Sequence, residues 1–245
     1  MFQNKRYRPL FIDLAVNGLI CVLIILFSQQ LFVMTLSVAS IIILRKFAFY
    51  KLVPGCNMKH EILFFTICTV IGSFNDWNSV EVRKIYNYTV PTLYPQLSTI
   101  PFWMFLFWGV ILKTVSELSV FLKKSEINSS GRSVLLLLGL VVCTRLCIYS
   151  FYMRDTLSWL SFLIALITYF AVFGFNKTKI LMAILISIIG TSVESILINF
   201  GKLHYYHLGV LAGVPIWIAL WWSLIALIWI DVSAYIENKM QLNNL

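Results

Sequence analysis

The sequence predicts an all-α fold, a polytopic transmembrane bundle of about eight helices in two parallel four-helix repeats. Three observations predict it. First, 60% of the 245 residues are hydrophobic and only 12% are charged, and the mean hydropathy is +0.87. A soluble domain carries roughly twice that charged fraction, so the bilayer is the solvent. Second, the apolar runs are continuous rather than alternating, which selects helices over a closed barrel as the way to satisfy backbone groups in lipid. Third, the chain repeats itself. I-G-S-F-N-D at 71–76 and I-P-F-W-M-F-L-F-W at 100–108 return as I-G-T-S-V-E at 189–194 and V-P-I-W-I-A-L-W-W at 214–222. The glycines are 118 residues apart and the prolines 114, so the connecting loop is four residues shorter in the second copy.

A helix needs about 20 mostly apolar residues to cross about 30 Å of hydrocarbon. The runs that answer to this are 10–28, 31–44 (extendable to 53), 62–74, 101–122, 133–151, 157–175, 180–200 and 214–230. The first follows Lys5, Arg6 and Arg8 but carries Asp13 and Asn17 and lacks a small-x-small cleavage site, so it reads as an anchor, not a signal peptide. The second has 14 residues before Arg45 and Lys46, and the third reaches spanning length only by running on through Asp76 and Trp77. If either is re-entrant, the count is seven. The fourth opens on Pro-x-Trp and carries Lys113 and Glu117, an i, i+4 pair expected to neutralise itself and snorkel. The fifth carries Arg145 and the seventh Glu194. The eighth opens on the second Pro-x-Trp.

Charge placement supports this order. With a cytoplasmic N-terminus, inner segments hold 13 Lys and Arg and outer loops four, namely Arg83, Lys84, Arg154 and Lys202. That bias predicts both termini cytoplasmic, and the expected location is the cell inner (cytoplasmic) membrane. It also accounts for the net charge of +9 without nucleic acid. No outer loop holds a cysteine, so no disulfide framework follows, and Cys143 and Cys147 read as small packing residues. Four spans per copy make the repeats parallel, 1–123 and 124–245, with the boundary in the polar stretch 123–132. That stretch is too short for a tether, so one packed bundle is expected.

An ionisable group at a helix centre costs roughly 2.5–3.5 kcal/mol on insertion scales, so it should face the interior and be paired. Arg145 and Glu194 lie at similar depth toward the outer leaflet and are expected to pair. Asp76 is the first-copy equivalent of Glu194, with Asn17 as its expected hydrogen-bond partner. The outer loops repeat as well: I-Y-N-Y-T-V-P-T-L-Y at 85–94 and L-H-Y-Y-H-L at 203–208. Tyr86, Tyr88, Tyr205, Tyr206, Trp103 and Trp217 suit an interfacial aromatic belt and equally a site. Trp103/Trp108 and Trp217/Trp222 are five apart and cannot share a face. Trp103 and Trp217, one turn below the prolines, are taken as the inward members. His204 and His207 are three apart, but no CxxC or HExxH accompanies them and the first copy has tyrosines there, so neither metal nor cofactor is expected. Phosphate loops, Gly-x-Ser-x-Gly elbows and dinucleotide fingerprints are absent.

The candidate site therefore has Glu194 and Asp76 as acids, with Arg145, Trp103, Trp217, Tyr88, Tyr206, His204 and His207 around a substrate. Three readings stay open: an enzyme with Glu194 as general acid and aromatics that stabilise a carbocation, a proton- or cation-coupled transporter with rocking halves, and a structural staple. The partners implied are the lipid bilayer and a lipophilic small molecule; the oligomeric state is left open.

The run G-T-S-V-E-S-I-L-I-N-F-G-K-L-H-Y-Y from Gly190, followed by V-P-I-W-I-A-L-W-W, resembles a bacterial inner-membrane protein family of unknown function. That family shows a glycine, an acid-Ser-Leu-like element, Gly-x-Leu-x-aromatic and Pro-x-Trp before a Leu-Trp pair. More distantly, Glu194, Phe200-Gly201, Tyr206 and Gly213-Val214-Pro215 are similar to the carotenoid hydratase family, with its acid, Phe-Gly-x-Tyr-x-Tyr and Gly-x-Pro. Here Lys202-Leu203-His204-Tyr205 follows Gly201, and Ala219-Leu220-Trp221 replaces Pro-Leu-Ala-Trp. The first resemblance implies a multi-pass membrane protein. The second implies isoprenoid-like substrates and acid-assisted addition of water to a double bond.

Overall fold

The computed structural model of the chain describes residues 7–121 and 131–242. Eight helices follow in order: α1 (Arg8–Phe27), α2 (Leu31–Leu52), α3 (Met58–Trp77), α4 (Phe102–Phe121), α5 (Gly131–Phe151), α6 (Asp155–Phe173), α7 (Lys177–Asn199) and α8 (Ile216–Leu242). Two three-residue strands, β1 (Tyr86–Tyr88) and β2 (His204–Tyr206), pair with each other. Seven of the helices are long and apolar enough to cross a membrane, and α3 is the exception. Large apolar side chains stand exposed along them, such as Phe32 at 72%, Leu135 at 70% and Phe175 at 77%. In water this surface would be prohibitive; in lipid it is the expected outer face. The protein is a multi-pass helical membrane protein.

α2 and α3 take the longer of the lengths that the sequence left open, and α3 also starts four residues earlier. α2 runs without a break through Arg45 and Lys46 to Leu52. α3 starts at Met58, where the Asn57 side chain accepts from the backbone N–H groups of Lys59 and His60 at 3.1 and 3.4 Å. This cap satisfies donors that a helix start leaves open. At 20 residues, α3 is about 30 Å long. Its last turn passes into a wider π turn, Asn78–Val82. α8 also outruns its apolar core, continuing past Asp231 to Leu242.

Two compact units result. Unit 1 comprises residues 1–121 and 200–205, and unit 2 comprises 122–199 and 206–245. The polar stretch 123–132, expected to join two halves, falls mostly outside the described residues. In unit 1, α4 packs against α1, α2 and α3. In unit 2, α8 packs against α5, α6 and α7. β2 is reached from the second half of the sequence, yet its first two residues belong to unit 1. There the Thr89 N–H donates to the Leu203 carbonyl at 3.0 Å, and the Ser28 hydroxyl donates to the Gly201 carbonyl at 2.6 Å.

Candidate functional site

Each unit carries an acid near the end of one helix, held by a tyrosine and faced by a tryptophan. In unit 1, Asp76 in the last turn of α3 is wholly buried. Tyr86 and Tyr88 of β1 both donate to it, Tyr88 at 2.8 Å, and Trp108 of α4 faces the same carboxyl. The His204 ring packs on both tyrosines, with centroids 5.2 and 5.7 Å away. In unit 2, Glu194 of α7 accepts from the Tyr206 hydroxyl and from the Trp222 indole N–H, the latter at 2.8 Å. Glu194 is half-buried where Asp76 is sealed.

The spacing is the same in both units. Tyr88 follows Asp76 by 12 residues and Tyr206 follows Glu194 by 12. A glycine stands four residues before each acid. A Cβ added at Gly72 would lie 2.8 Å from the Cβ of Trp108, and one at Gly190 would lie 2.6 Å from the Trp222 ring. The glycines thus make the room in which the second tryptophan of each Pro-x-Trp element lies against the helix that carries the acid.

Trp103 and Trp217 are the inward member of each pair, as expected, at 0% and 3% exposed, but the indoles at the carboxyls are the other two. Trp108 and Trp222, not Trp103 and Trp217, address the acids. Trp103 is fully buried, and its indole nitrogen finds no hydrogen-bond partner among the described residues. Trp217 joins a row of rings: it meets Tyr206 edge-on at 5.9 Å and stacks on Phe162 at 5.7 Å. Phe162 in turn meets Trp221 at 6.0 Å, and the Arg145 guanidinium lies 4.1 Å over Trp221. Arg145 was expected on Glu194. The structure lays Arg145 over the Trp221 face and gives Glu194 the Tyr206 and Trp222 donors. Weakly hydrated guanidinium groups stack well on indole faces, and the O–H and N–H donors suit a carboxylate, which accepts only.

Asn17 also lies elsewhere. Its amide donates to Thr114 Oγ1 at 2.5 Å and to the Asp13 carbonyl, level with the middle of α4 and well away from Asp76. His207 packs on Tyr152 with centroids 6.1 Å apart in unit 2, whereas His204 belongs to unit 1. No cluster of three His, Cys, Asp or Glu side chains suited to a metal occurs among the described residues.

A second polar centre in each unit went unread. In unit 1 it joins all four helices. Arg45 Nε lies 2.5 Å from Asp13 Oδ1 and Arg45 Nη2 lies 2.8 Å from Glu61, while Lys113 lies 3.4 Å from Glu61 and pairs with Glu117. Arg45 also lies over Phe49 and Phe65, at 4.3 and 4.9 Å. Lys113 and Glu117 do pair, but Lys113 is only 4% exposed and does not snorkel. In unit 2, Lys179 lies 3.4 Å from Asp231, which accepts from Tyr169 at 2.6 Å. The offsets are again those of the repeat: Glu61 to Lys179 is 118 residues and Glu117 to Asp231 is 114. A clue was present in the sequence, because both centres sit 15 residues before the acids on the same helix, about 22 Å away.

Unit 2 also has an open apolar groove of about 400 Å³. Leu166 and Phe170 of α6, Ile180, Ile184 and Ser187 of α7, and Ser223 of α8 line it. Ser187 and Glu194 are seven residues apart on α7, two turns on one helix face, with the Trp222 ring packed against Gly190 between them.

No model of a known protein family matches the sequence, and no curated protein matches it. Two solved structures are similar in fold. One is a mycobacterial Insig homologue, MvINS from Mycobacterium vanbaalenii, and the other is a cross-linked trimer of a cysteine-substituted MvINS. Each has a TM-score of 0.58 and 20% identity, covering 70% of this chain and 90% of the other. At this identity the likeness is one of fold.

Proposed function

We propose that this multi-pass membrane protein binds a lipophilic small molecule of isoprenoid-like character in unit 2, its hydrocarbon in the α6–α8 groove and its polar end toward Glu194. The observation that carries this is an apolar groove of about 400 Å³ whose lining on α7 reaches Ile188, with the half-buried Glu194 further along the same helix, a volume within the usual range for small-molecule sites. Asp76, sealed by two tyrosines, has the same donors but no way for a ligand to reach it. The Tyr206 and Trp222 donors hold Glu194 in place, and the acid can accept from a ligand hydroxyl or hand it a proton. The distant similarity to carotenoid hydratases around Glu194 and Tyr206 points to the same substrate class.

The test is lipid analysis of purified protein in nanodiscs. Wild type should retain an apolar lipid in excess over an empty-nanodisc control. Ile184→Trp, which fills the groove from its 52% exposed lipid-facing side, should lose it, and Glu194→Gln should retain less. A wild-type extract that matches the control, or one that Ile184→Trp leaves unchanged, would overturn the reading. Conversion of the retained lipid to a hydrated product in wild type only would make the protein an enzyme.

A further inference from the structure

The charged centre of unit 1 does not balance. Asp13 of α1, Arg45 of α2, Glu61 of α3, and Lys113 and Glu117 of α4 bring three carboxylates against two cations. The turn between α2 and α3 places Cys56 within electrostatic range of these groups. Four of the five residues are at most 8% exposed. A net charge buried in low dielectric is strongly disfavoured, and a proton is the smallest remedy. In unit 2 the corresponding positions hold one lysine and one aspartate, Lys179 and Asp231, and that centre is balanced without help.

The three carboxylates of unit 1 differ in what compensates them. Glu61 has both Arg45 and Lys113, at 2.8 and 3.4 Å. Glu117 pairs with Lys113 and keeps some exposure, 15%. Asp13 is fully buried and shares Arg45 through Oδ1 alone. Its Oδ2 is buried and has no hydrogen-bond partner among the described residues. A metal cation would also meet Arg45 and Lys113 head-on, and among the described residues no three acidic or histidine side chains converge to hold one.

We propose that this centre is a proton-binding site, with Asp13 Oδ2 holding the proton while Oδ1 accepts from Arg45. The four remaining charges then cancel pairwise. Glu117, at the rim, is the route by which the proton exchanges with water. The proposal concerns unit 1 and does not depend on a ligand in unit 2.

Infrared spectroscopy of the full chain in nanodiscs tests it directly. Wild type at neutral pH should show the carbonyl band of a protonated carboxylic acid that Asp13→Asn removes. Glu117→Gln supplies the missing neutrality without a proton and should remove the same band with Asp13 in place, which keeps the test decisive if Asp13→Asn fails to fold. Raising the pH should lower the melting temperature of wild type but leave that of Glu117→Gln flat. A wild type without the band, a band that survives both substitutions, or a melting temperature that follows sodium or potassium at fixed pH would overturn the proposal.

Discussion

At the scale of single residues, the two acids show how one chemical solution behaves at two depths. A buried carboxylate oxygen deprived of its donor costs about 1–3 kcal/mol, because water cannot replace the lost hydrogen bond. Tyr88 donates to a fully buried Asp76, so Tyr88→Phe should destabilise the fold by about that amount. Tyr206 donates to a half-buried Glu194, where water can reach, and Tyr206→Phe should cost about 1 kcal/mol or less. Thermal unfolding in detergent would compare them; equal losses would contradict the difference in burial. Much of this was legible beforehand. The glycine four residues before the acid is a fixed spacing on one helix, hence a fixed direction, and the tyrosine 12 residues on recurs in both copies beyond the helix end. Which tryptophan reaches the acid was not legible, because that depends on where α4 and α8 pass the glycine. Only the clash a Cβ would make at Gly72 and Gly190 reveals it.

At the scale of elements, the ends of α2 and α3 stayed open in the sequence for one reason. Hydropathy scores a residue against lipid and cannot register a partner on another helix. Arg45 looked like the end of a span because its charge stood alone in the sequence; in the fold Asp13 and Glu61 meet it, and α2 continues for seven more residues. The glycines set element packing in a testable way. Gly190→Ala would press a methyl into the Trp222 ring at 2.6 Å, and overpacking of this kind costs about 1–3 kcal/mol. The variant should unfold at a lower temperature with altered tryptophan fluorescence, whereas alanine at Gly139, which meets nothing within 4 Å, should stabilise α5 slightly. The excursion after α3 is tied down by Glu81. Burial pushes its carboxyl up, but hydrogen bonds from the Thr99 N–H and hydroxyl, Lys84 and Ser98 outweigh this and hold it below the usual glutamate value. A lowered folded value stabilises the tether at higher pH and releases it as pH falls. Segment 83–101 should therefore exchange its amides faster in acid below about pH 4, and Glu81→Gln should show the faster rate at neutral pH.

At the scale of the whole molecule, the decisive quantity is how many times the chain crosses the membrane. Seven helices qualify by length and apolarity, and α3 does not. Its two acids are nevertheless turned to protein: Glu61 is 8% exposed and Asp76 is sealed, while Phe74 and Leu63 stand out at 64% and 51%. A helix of about 30 Å with its charges inward and its apolar residues outward meets the bilayer's requirement as well as a uniformly apolar one. If α3 crosses, the count is eight and both termini share one face, which the 13-to-4 distribution of Lys and Arg predicts to be cytoplasmic. Single cysteines at Lys84 and Lys202, in a background without the five native ones, should then react with an impermeant thiol reagent from outside intact cells. A cysteine at Lys59, just inside the start of α3, should react only after the membrane is opened. Labelling of Lys59 and Lys84 positions from the same side would make α3 re-entrant. That outcome would return the count to seven and leave the buried ion centre of unit 1 and the Asp76 clasp without a common span between them.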